Sequence, residues 1–332
     1  MAVGSGSIER VRVISLGGTI AMTRRPGGSG GVTPGLTGDD LVAAVPGLVD
    51  HVTIRTEDFR RIASPGLGID DIAELAAHLN ATSDARTGTV ITQGTDNLEE
   101  TAYLLDLLYT AEAPVVLTGA MRNPSQPGAD GPANIFDAVR AAADPALAGL
   151  GPVVAFAGEL HAARFVHKSH TTSIAAFTSP NAGPIGHVTE GRPRIHAPLA
   201  RTRPVALPFT RPATVEIVTA SLGGDATILD AVAPHTDGLV IAAFGAGHVP
   251  EPWVSRLAPL TTRIPIVLAS RTGAGSVLTN TSGFPGSESD LLSRGLLNAG
   301  TLDPYKSRLL LLALLRTAAD HPTIKRSFAT HR

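Results

Sequence analysis

Seven short runs of β-branched and small apolar residues recur along the chain, and they constrain the fold more than any other feature. They read RVRVISLGG from Arg10, GTVITQGT from Gly88, APVVLTGA from Ala113, GPVVAFAG from Gly151, ATVEIVTA from Ala213, GLVIAAFGAG from Gly238 and IPIVLAS from Ile264. Such continuous runs suit strands buried on both faces, as in a parallel sheet covered by helices. Helical stretches lie between several of them. NLEETAYLLDLLYT sets Leu98, Ala102, Leu105 and Tyr109 at helical spacing, and GPANIFDAVRAAA and SRLLLLALLRTAADH look similar. Alternating strands and helices predict an α/β fold whose chemistry sits in the loops at the carboxyl ends of the strands.

With 332 residues the chain has length for two domains or one large one. ARTRPVALPFTRP, residues 200 to 212, carries three prolines and no strong periodicity, and is the candidate linker. The expectation is a larger N-terminal domain over residues 1–200 with an open, mostly parallel, flavodoxin-like sheet. A linker over 201–212 and a smaller C-terminal α/β domain over 213–332 follow. A formal net charge of −2 gives no electrostatic footprint for nucleic acid or an anionic membrane surface. The absence of cysteine removes disulfides, thiolate metal sites and a cysteine nucleophile. The N-terminal MAVGSGSIERVRVI lacks a signal-peptide pattern, and the longest apolar run, LLLLALL from Leu309, is too short to span a bilayer. A cytoplasmic location without membrane attachment is therefore expected.

Three stretches could carry chemistry. In SLGGTIAM, a strand ends in Gly17 and Gly18 and is followed by Thr19, either an N-cap or a nucleophile that glycines leave accessible. VITQGTDNLEETAYLLDLL repeats the layout: strand, Gly94, Thr95, Asp96, then helix. Asp96 with Glu99 fits a capping box, yet the same position suits a carboxylate ligand or a developing oxyanion at a helix N-terminus. In RFVHKSHTTSIAAF, Lys168 is either solvated or, if partly buried, able to activate a hydroxyl. His161, His167 and His170 match no metal-ligand spacing, so no metal is expected. No phosphate loop, dinucleotide fingerprint, H-E-x-x-H or G-x-S-x-G occurs either, which leaves no cofactor indicated.

Taken together, SLGGTIAM, VITQGTDNLEETAYLLDLL, PVVLTGAMR, DGPANIFDAV, KSHTT and SGFPGSESDLLSRGLLNAGTLDPYKSRLLLLALL resemble the bacterial-type L-asparaginase family, in order and over nearly the whole chain. The resemblance implies an amidohydrolase converting L-asparagine to L-aspartate and ammonia through a threonine nucleophile and an acyl-enzyme. Thr19 matches the first catalytic threonine, and Thr95, Asp96 and Lys168 match the second threonine with its aspartate and lysine. Thr19 is then expected as nucleophile, with Lys168 and Thr95 polarising the site or positioning the water. The Thr95 and Ala120 backbones would hold the oxyanion. Asp96 and Ser64 match positions for the substrate's α-amino and α-carboxylate groups. Glu288 matches a glutamate that reaches in from a neighbouring subunit, which implies a homotetramer, a dimer of dimers, with shared sites. On this reading Gly17 and Gly18 clear room for the substrate.

The chain also departs from the pattern. The family usually has a tyrosine in the loop after the first threonine, near Gly31 and Val32, but the first tyrosine here is Tyr103. Ser29 or Thr33 is a candidate substitute within the glycine-rich RRPGGSGGVTPG, itself a flexible linker or a lid. Pro65 replaces a common glutamine, which should weaken the hold on the α-carboxylate, and Gln93 replaces the usual histidine. The family's substrate-holding asparagine of the C-terminal domain has no clear equivalent near Gly224 and Asp225. These departures keep open a different amide (glutamine, a D-asparagine or a larger molecule), or a low-activity protein that senses aspartate or asparagine.

Overall fold

The computed structural model describes residues 7–24, 32–48, 52–201, 204–205 and 207–330, and of residues 19, 23–24 and 32–34 the backbone only. The chain divides into two compact units, Met1–Pro204 and Val205–Arg332. In the first, β1 (Arg10–Ser15) is followed by the short strands β2 (Met22–Arg24) and β3 (Val32–Pro34), helix α1 (Gly38–Ala43) and β4 (Thr53–Asp58). Then come α2 (Ile69–Thr82), β5 (Thr87–Thr92), α3 (Leu98–Leu108), β6 (Val115–Thr118), α4 (Gly131–Ala142) and β7 (Pro152–Phe156). Five more short strands close the unit: β8 (Glu159–Ala162), β9 (His167–Lys168), β10 (Phe177–Thr178), β11 (Gly186–Thr189) and β12 (Arg192–Ile195).

Eight of these strands form one sheet in the order β12-β11-β8-β7-β6-β5-β1-β4. From β4 to β7 every neighbour is parallel, and β8, β11 and β12 add on antiparallel. The parallel part runs β4-β1-β5-β6-β7, so the chain steps outward to one side after β1 and to the other side from β5 on. The crevice at the carboxyl ends of β1 and β5 is therefore the topological switch point, where open α/β sheets place ligands. Alternate residues of the central strands feed opposite faces. Val11, Val13, Val90, Val116, Val153 and Ala155 pack with Ile135, Ala138, Val139 and Leu41, the faces of α4 and α1.

Helix α3 differs from the one-sided stripe expected of it. Nearly every residue from Leu98 to Leu108 is buried, Glu99, Thr101 and Asp106 included. Its far end is held by Arg201, whose guanidinium donates to Asp106 Oδ1 at 3.0 Å and to the Asp106 carbonyl at 2.9 Å. The glycine-rich stretch runs between β2 and β3, which pair antiparallel; Ser29 and Gly31 lie outside the described residues.

The second unit comprises β13 (Val215–Thr219), α5 (Thr227–Val232), β14 (Gly238–Ala243), α6 (Glu251–Leu260), β15 (Ile266–Ser270), α7 (Glu288–Ser293), β16 (Leu297–Asn298), α8 (Pro304–Arg316) and α9 (His321–Ala329). Its four strands are parallel in the order β13-β14-β15-β16, around a core that includes Leu239, Ile241, Trp253, Leu257 and Leu268. Among the described residues no helix is long and apolar enough to cross a membrane.

One carboxyl on α4 is held against its chemistry. Burial alone pushes the pKa of Asp137 up to about 6, from 3.8. Below about pH 3 both the folded and the unfolded chain carry this carboxyl protonated, so it costs nothing. As pH rises through the window up to about 6, the unfolded chain releases the proton first, and stability falls. Asp137→Asn should therefore leave stability unchanged at about pH 3 and raise it by about 1 kcal/mol at pH 8, after discounting for partial exposure. Urea unfolding at the two pH values checks this.

Candidate active site

Four parallel strands end at one level. Ser15 of β1 lies level with Asp58 of β4 and Thr92 of β5, and Thr92 with Thr118 of β6. Past that level the backbones remain bonded: Leu16 N–H donates to the Thr92 carbonyl at 2.9 Å, Gln93 N–H to the Thr118 carbonyl at 3.1 Å and Phe59 N–H to the Ser15 carbonyl at 3.0 Å. Gly17 and Gly18 then take φ values of +97° and +88°, conformations that side chains rarely permit. Thr19 follows at the start of a single 3₁₀ turn, Thr19–Ala21.

The space that a side chain would need at these glycines is full of protein. A Cβ on Gly17 would meet the Ile62 carbonyl oxygen at 2.6 Å, and one on Gly18 would overlap the backbone of Gly94. A Cβ on Gly94 would in turn overlap the Ser64 hydroxyl and lie 2.8 Å from Ser64 Cβ. This corrects the expectation that Gly17 and Gly18 clear room for a substrate. They let the β1, β4 and β5 loops touch backbone to backbone, with Ser64 closing on Gly94.

Beside that clasp, four of the expected residues meet: Ser64, Thr95, Asp96 and Lys168. Lys168 Nζ donates to Thr95 Oγ1 at 2.9 Å and to Asp96 Oδ1 at 3.1 Å. Ser64 Oγ donates to the other carboxylate oxygen, Asp96 Oδ2, at 3.1 Å. Thr95 and Ser64 are buried, and the Lys168 side chain is 15% exposed, whereas that of Asp96 is 61% exposed. The solvated reading of Lys168 is thereby excluded. Among the described residues neither the Thr95 nor the Ala120 N–H has an acceptor, which leaves two donors free beside the crevice.

Several supporting residues escaped the sequence reading. Asn97 Nδ2 donates to the Ser64 carbonyl at 2.7 Å, and Gln93 Nε2 donates to Asn97 Oδ1 at 3.2 Å. Gln93 thus replaces the expected histidine as a fully buried donor in a chain of amides that ends on Ser64. Pro65 occupies the first positions of the turn Ser64–Gly66, where its fixed φ suits the backbone, and points away from the core. Asp130 accepts the N–H groups of Met121 and Arg122 at 3.0 and 2.9 Å, and Asn134 Nδ2 donates to the Gly119 carbonyl at 3.0 Å. Those bonds fix the backbone of Ala120, which is buried. Asn97 and Asn134 lie on the motifs that had already been singled out, but only side-chain direction reveals what they hold.

The capping box does not form. The cap of α3 is Asn97, without a side-chain bond, and Glu99 turns to β9 instead. Its Oε2 accepts the Lys168 backbone N–H at 2.7 Å and lies 2.9 Å from His167 Nδ1. The other two histidines have separate partners. His161 Nδ1 is 3.0 Å from Ser179 Oγ, and burial together with nearby His187 lowers its pKa to about 4, so it is neutral at pH 7. His170 Nδ1 accepts the N–H groups of Thr172 and Ser173, both at 3.0 Å. Among the described residues no three His, Asp or Glu side chains converge as metal ligands.

Glu288 lies in the second unit, at the start of α7, and is fully buried. Its Oε1 accepts the N–H groups of Thr281 and Ser282, each at 2.7 Å, and its Oε2 is 2.9 Å from His248 Nε2. Burial raises the pKa of this carboxyl, but the backbone N–H donors of Ser282 and Thr281 outweigh that and keep it below the usual value. Gly224 and Asp225 have structural partners: the Gly224 carbonyl accepts from Trp253 Nε1 at 3.0 Å, and Asp225 Oδ1 accepts the Thr227 N–H at 2.9 Å.

If the glycine clasp builds this site, Gly18→Ala combines a forbidden φ with a backbone collision. It should cost about 2–4 kcal/mol of stability by urea unfolding, more than an ordinary surface substitution.

Residues 10–201 match the family model for the asparaginase N-terminal domain, and residues 214–328 match that for the glutaminase/asparaginase C-terminal domain. A probable L-asparaginase of Deinococcus radiodurans is 38% identical over 97% of this chain and 98% of its own length. L-asparaginase 2 of Escherichia coli is 32% identical over 97% of this chain and 93% of its own. The crystal structure of a probable cytoplasmic L-asparaginase from Campylobacter jejuni superposes with a TM-score of 0.84 at 31% identity, covering 97% of this chain and 99% of that one. With both family models spanning the two units, and relatives aligned end to end, the chain belongs to the bacterial-type asparaginase family.

Proposed function

We propose that this chain is an asparaginase that hydrolyses the side-chain amide of L-asparagine to L-aspartate and ammonia. The observation that carries this reading is the contact chain Lys168–Thr95 and Lys168–Asp96–Ser64 at the mouth of the crevice between β1 and β5. A free amino acid presents an ammonium and a carboxylate group. Asp96, with its exposed carboxylate, suits the first, and the Ser64 hydroxyl suits the second once it turns from Asp96 to the ligand.

Thr19 then attacks the amide carbon, and the oxygen that becomes negative is met by the N–H groups of Thr95 and Ala120. Collapse of the tetrahedral intermediate breaks the C–N bond, and ammonia leaves with the proton given up by Thr19. A β-aspartyl ester remains on Thr19. A water oriented by the Thr95 hydroxyl, itself held by the Lys168 ammonium, attacks this ester, and the water's proton passes to the Thr19 oxygen as its bond to the acyl carbon breaks. L-Aspartate departs and the Thr19 hydroxyl is restored, so that one water is consumed per amide. In a homotetramer Glu288 reaches a neighbouring copy's site only by releasing its own His248, Thr281 or Ser282, and the protein works in the cytoplasm. The resemblance to the Campylobacter protein supports that location. Pro65, in place of an amide side chain beside Ser64, favours a weaker α-carboxylate grip and a shifted preference between asparagine and glutamine.

Ammonia release from L-asparagine and L-glutamine, measured side by side, tests this reading. Turnover of L-asparagine should exceed that of L-glutamine. Thr19→Ala and Lys168→Met should each lower kcat about 10²–10⁴-fold with the far-UV spectrum unchanged. Retained turnover in both variants would sink the mechanism.

A further inference from the structure

Lys168 sits on one of the shortest strands of the chain. Strand β9 is two residues long and pairs only with β10, Lys168 opposite Phe177 and His167 opposite Thr178. A ladder so short has few bonds with which to fix the position of a side chain that ends four rotatable bonds away. The placement of Nζ, 2.9 Å from Thr95 Oγ1, therefore needs another anchor.

That anchor is Glu99. It stands one turn into the chain from Thr95, and its side chain, 11% exposed, reaches β9 rather than the helix cap. A single oxygen, Oε2, takes the backbone N–H of Lys168 at 2.7 Å and faces His167 Nδ1 at 2.9 Å. That second contact places a proton on Nδ1 of His167. The result is a closed loop: residues 95 and 96 hold the ammonium end of Lys168, and residue 99 of the same segment holds its backbone end. We infer that Glu99 is a positioning residue for the reaction: by holding the Lys168 main chain it sets the distance from Lys168 Nζ to the Thr95 hydroxyl. The inference rests on reading Lys168 and Thr95 as the pair that activates water.

The length of the side chain and the charge it carries make separable demands. Glu99→Gln keeps an oxygen at the same reach but removes the charge. Glu99→Asp keeps the charge but withdraws the oxygen by one methylene. If Glu99 acts by position, the glutamine variant holds Lys168 and the aspartate variant does not. If it acts as a buried charge beside His167, the ranking reverses.

The experiment is a pair of crystal structures of the two variants beside the wild type, with kcat and KM for L-asparagine from all three. In Glu99→Gln, the distance from Lys168 Nζ to Thr95 Oγ1 should stay at its wild-type value and kcat within about threefold. In Glu99→Asp, that contact should open and kcat should fall about 30-fold, in the range that a misplacement of about 1 Å produces, with KM changed much less. An aspartate variant as active as the glutamine variant, or more so, overturns the inference, and so does an equal loss in both. If the wild type fails to turn over L-asparagine, the assigned reaction fails instead, and the distances in the three structures still decide what Glu99 does.

Discussion

The contact on which the site depends is between two backbones. Gly18 and Gly94 lie so close that neither loop tolerates a side chain facing the other, and Ser64 closes on Gly94 from the third side. Three loops from adjacent parallel strands, β4, β1 and β5, are thereby pinned beyond the last ladder bonds of the sheet. A parallel sheet provides one level at which the strands end, and a switch point provides a crevice. The glycines convert that crevice into a clasp that holds the segments following each strand against one another.

The fourth participant arrives from elsewhere. Lys168 lies more than sixty residues beyond β5, on a two-residue strand outside the large sheet, and reaches Thr95 through its side chain and Glu99 through its main chain. Asparagines and an aspartate complete the support: Asn97 holds the loop of Ser64, while Asp130 and Asn134 hold the loop of Ala120. All of these are side chains bonded to backbone, the type of interaction that fixes a loop in one conformation at modest cost. The groups that face the crevice are thus held by residues that do not face it.

How much of this the sequence disclosed follows from what each segment buries. The seven apolar runs became β1, β5, β6, β7, β13, β14 and β15; all but β13, an edge strand with Glu216 and Thr219 exposed, are largely covered on both faces, and covered strands are continuous in composition. Strand β4, TIRTED, lies at the sheet edge with no fully buried residue, and β12, RPRI, does so at the other edge, so neither carries an apolar signal. Helix α3 read as one-sided because Glu99 and Asp106 are charged; both are buried since each meets a partner distant in sequence, the β9 backbone and Arg201. The pattern Thr95–Asp96–Glu99 reads equally well as a capping box, and only the fold shows that its carboxylates serve Lys168. The motifs themselves brought Thr19, Thr95, Asp96 and Lys168 into view, and resemblance added Ser64, Ala120 and Glu288. It could not show that the glycines before Thr19 face protein rather than ligand, because that depends on where Ile62 and Gly94 lie.

The account assigns the two threonines different work, although both follow a strand and a glycine. In the proposed mechanism Thr19 carries the acyl group, and Thr95 with Lys168 prepares the water that removes it. Acid-quenched enzyme, caught during turnover of L-asparagine and digested for peptide mass spectrometry, tests this division most directly. The account predicts a β-aspartyl ester on the peptide that contains Thr19 and none on the peptide that contains Thr95. An ester on Thr95 would contradict it.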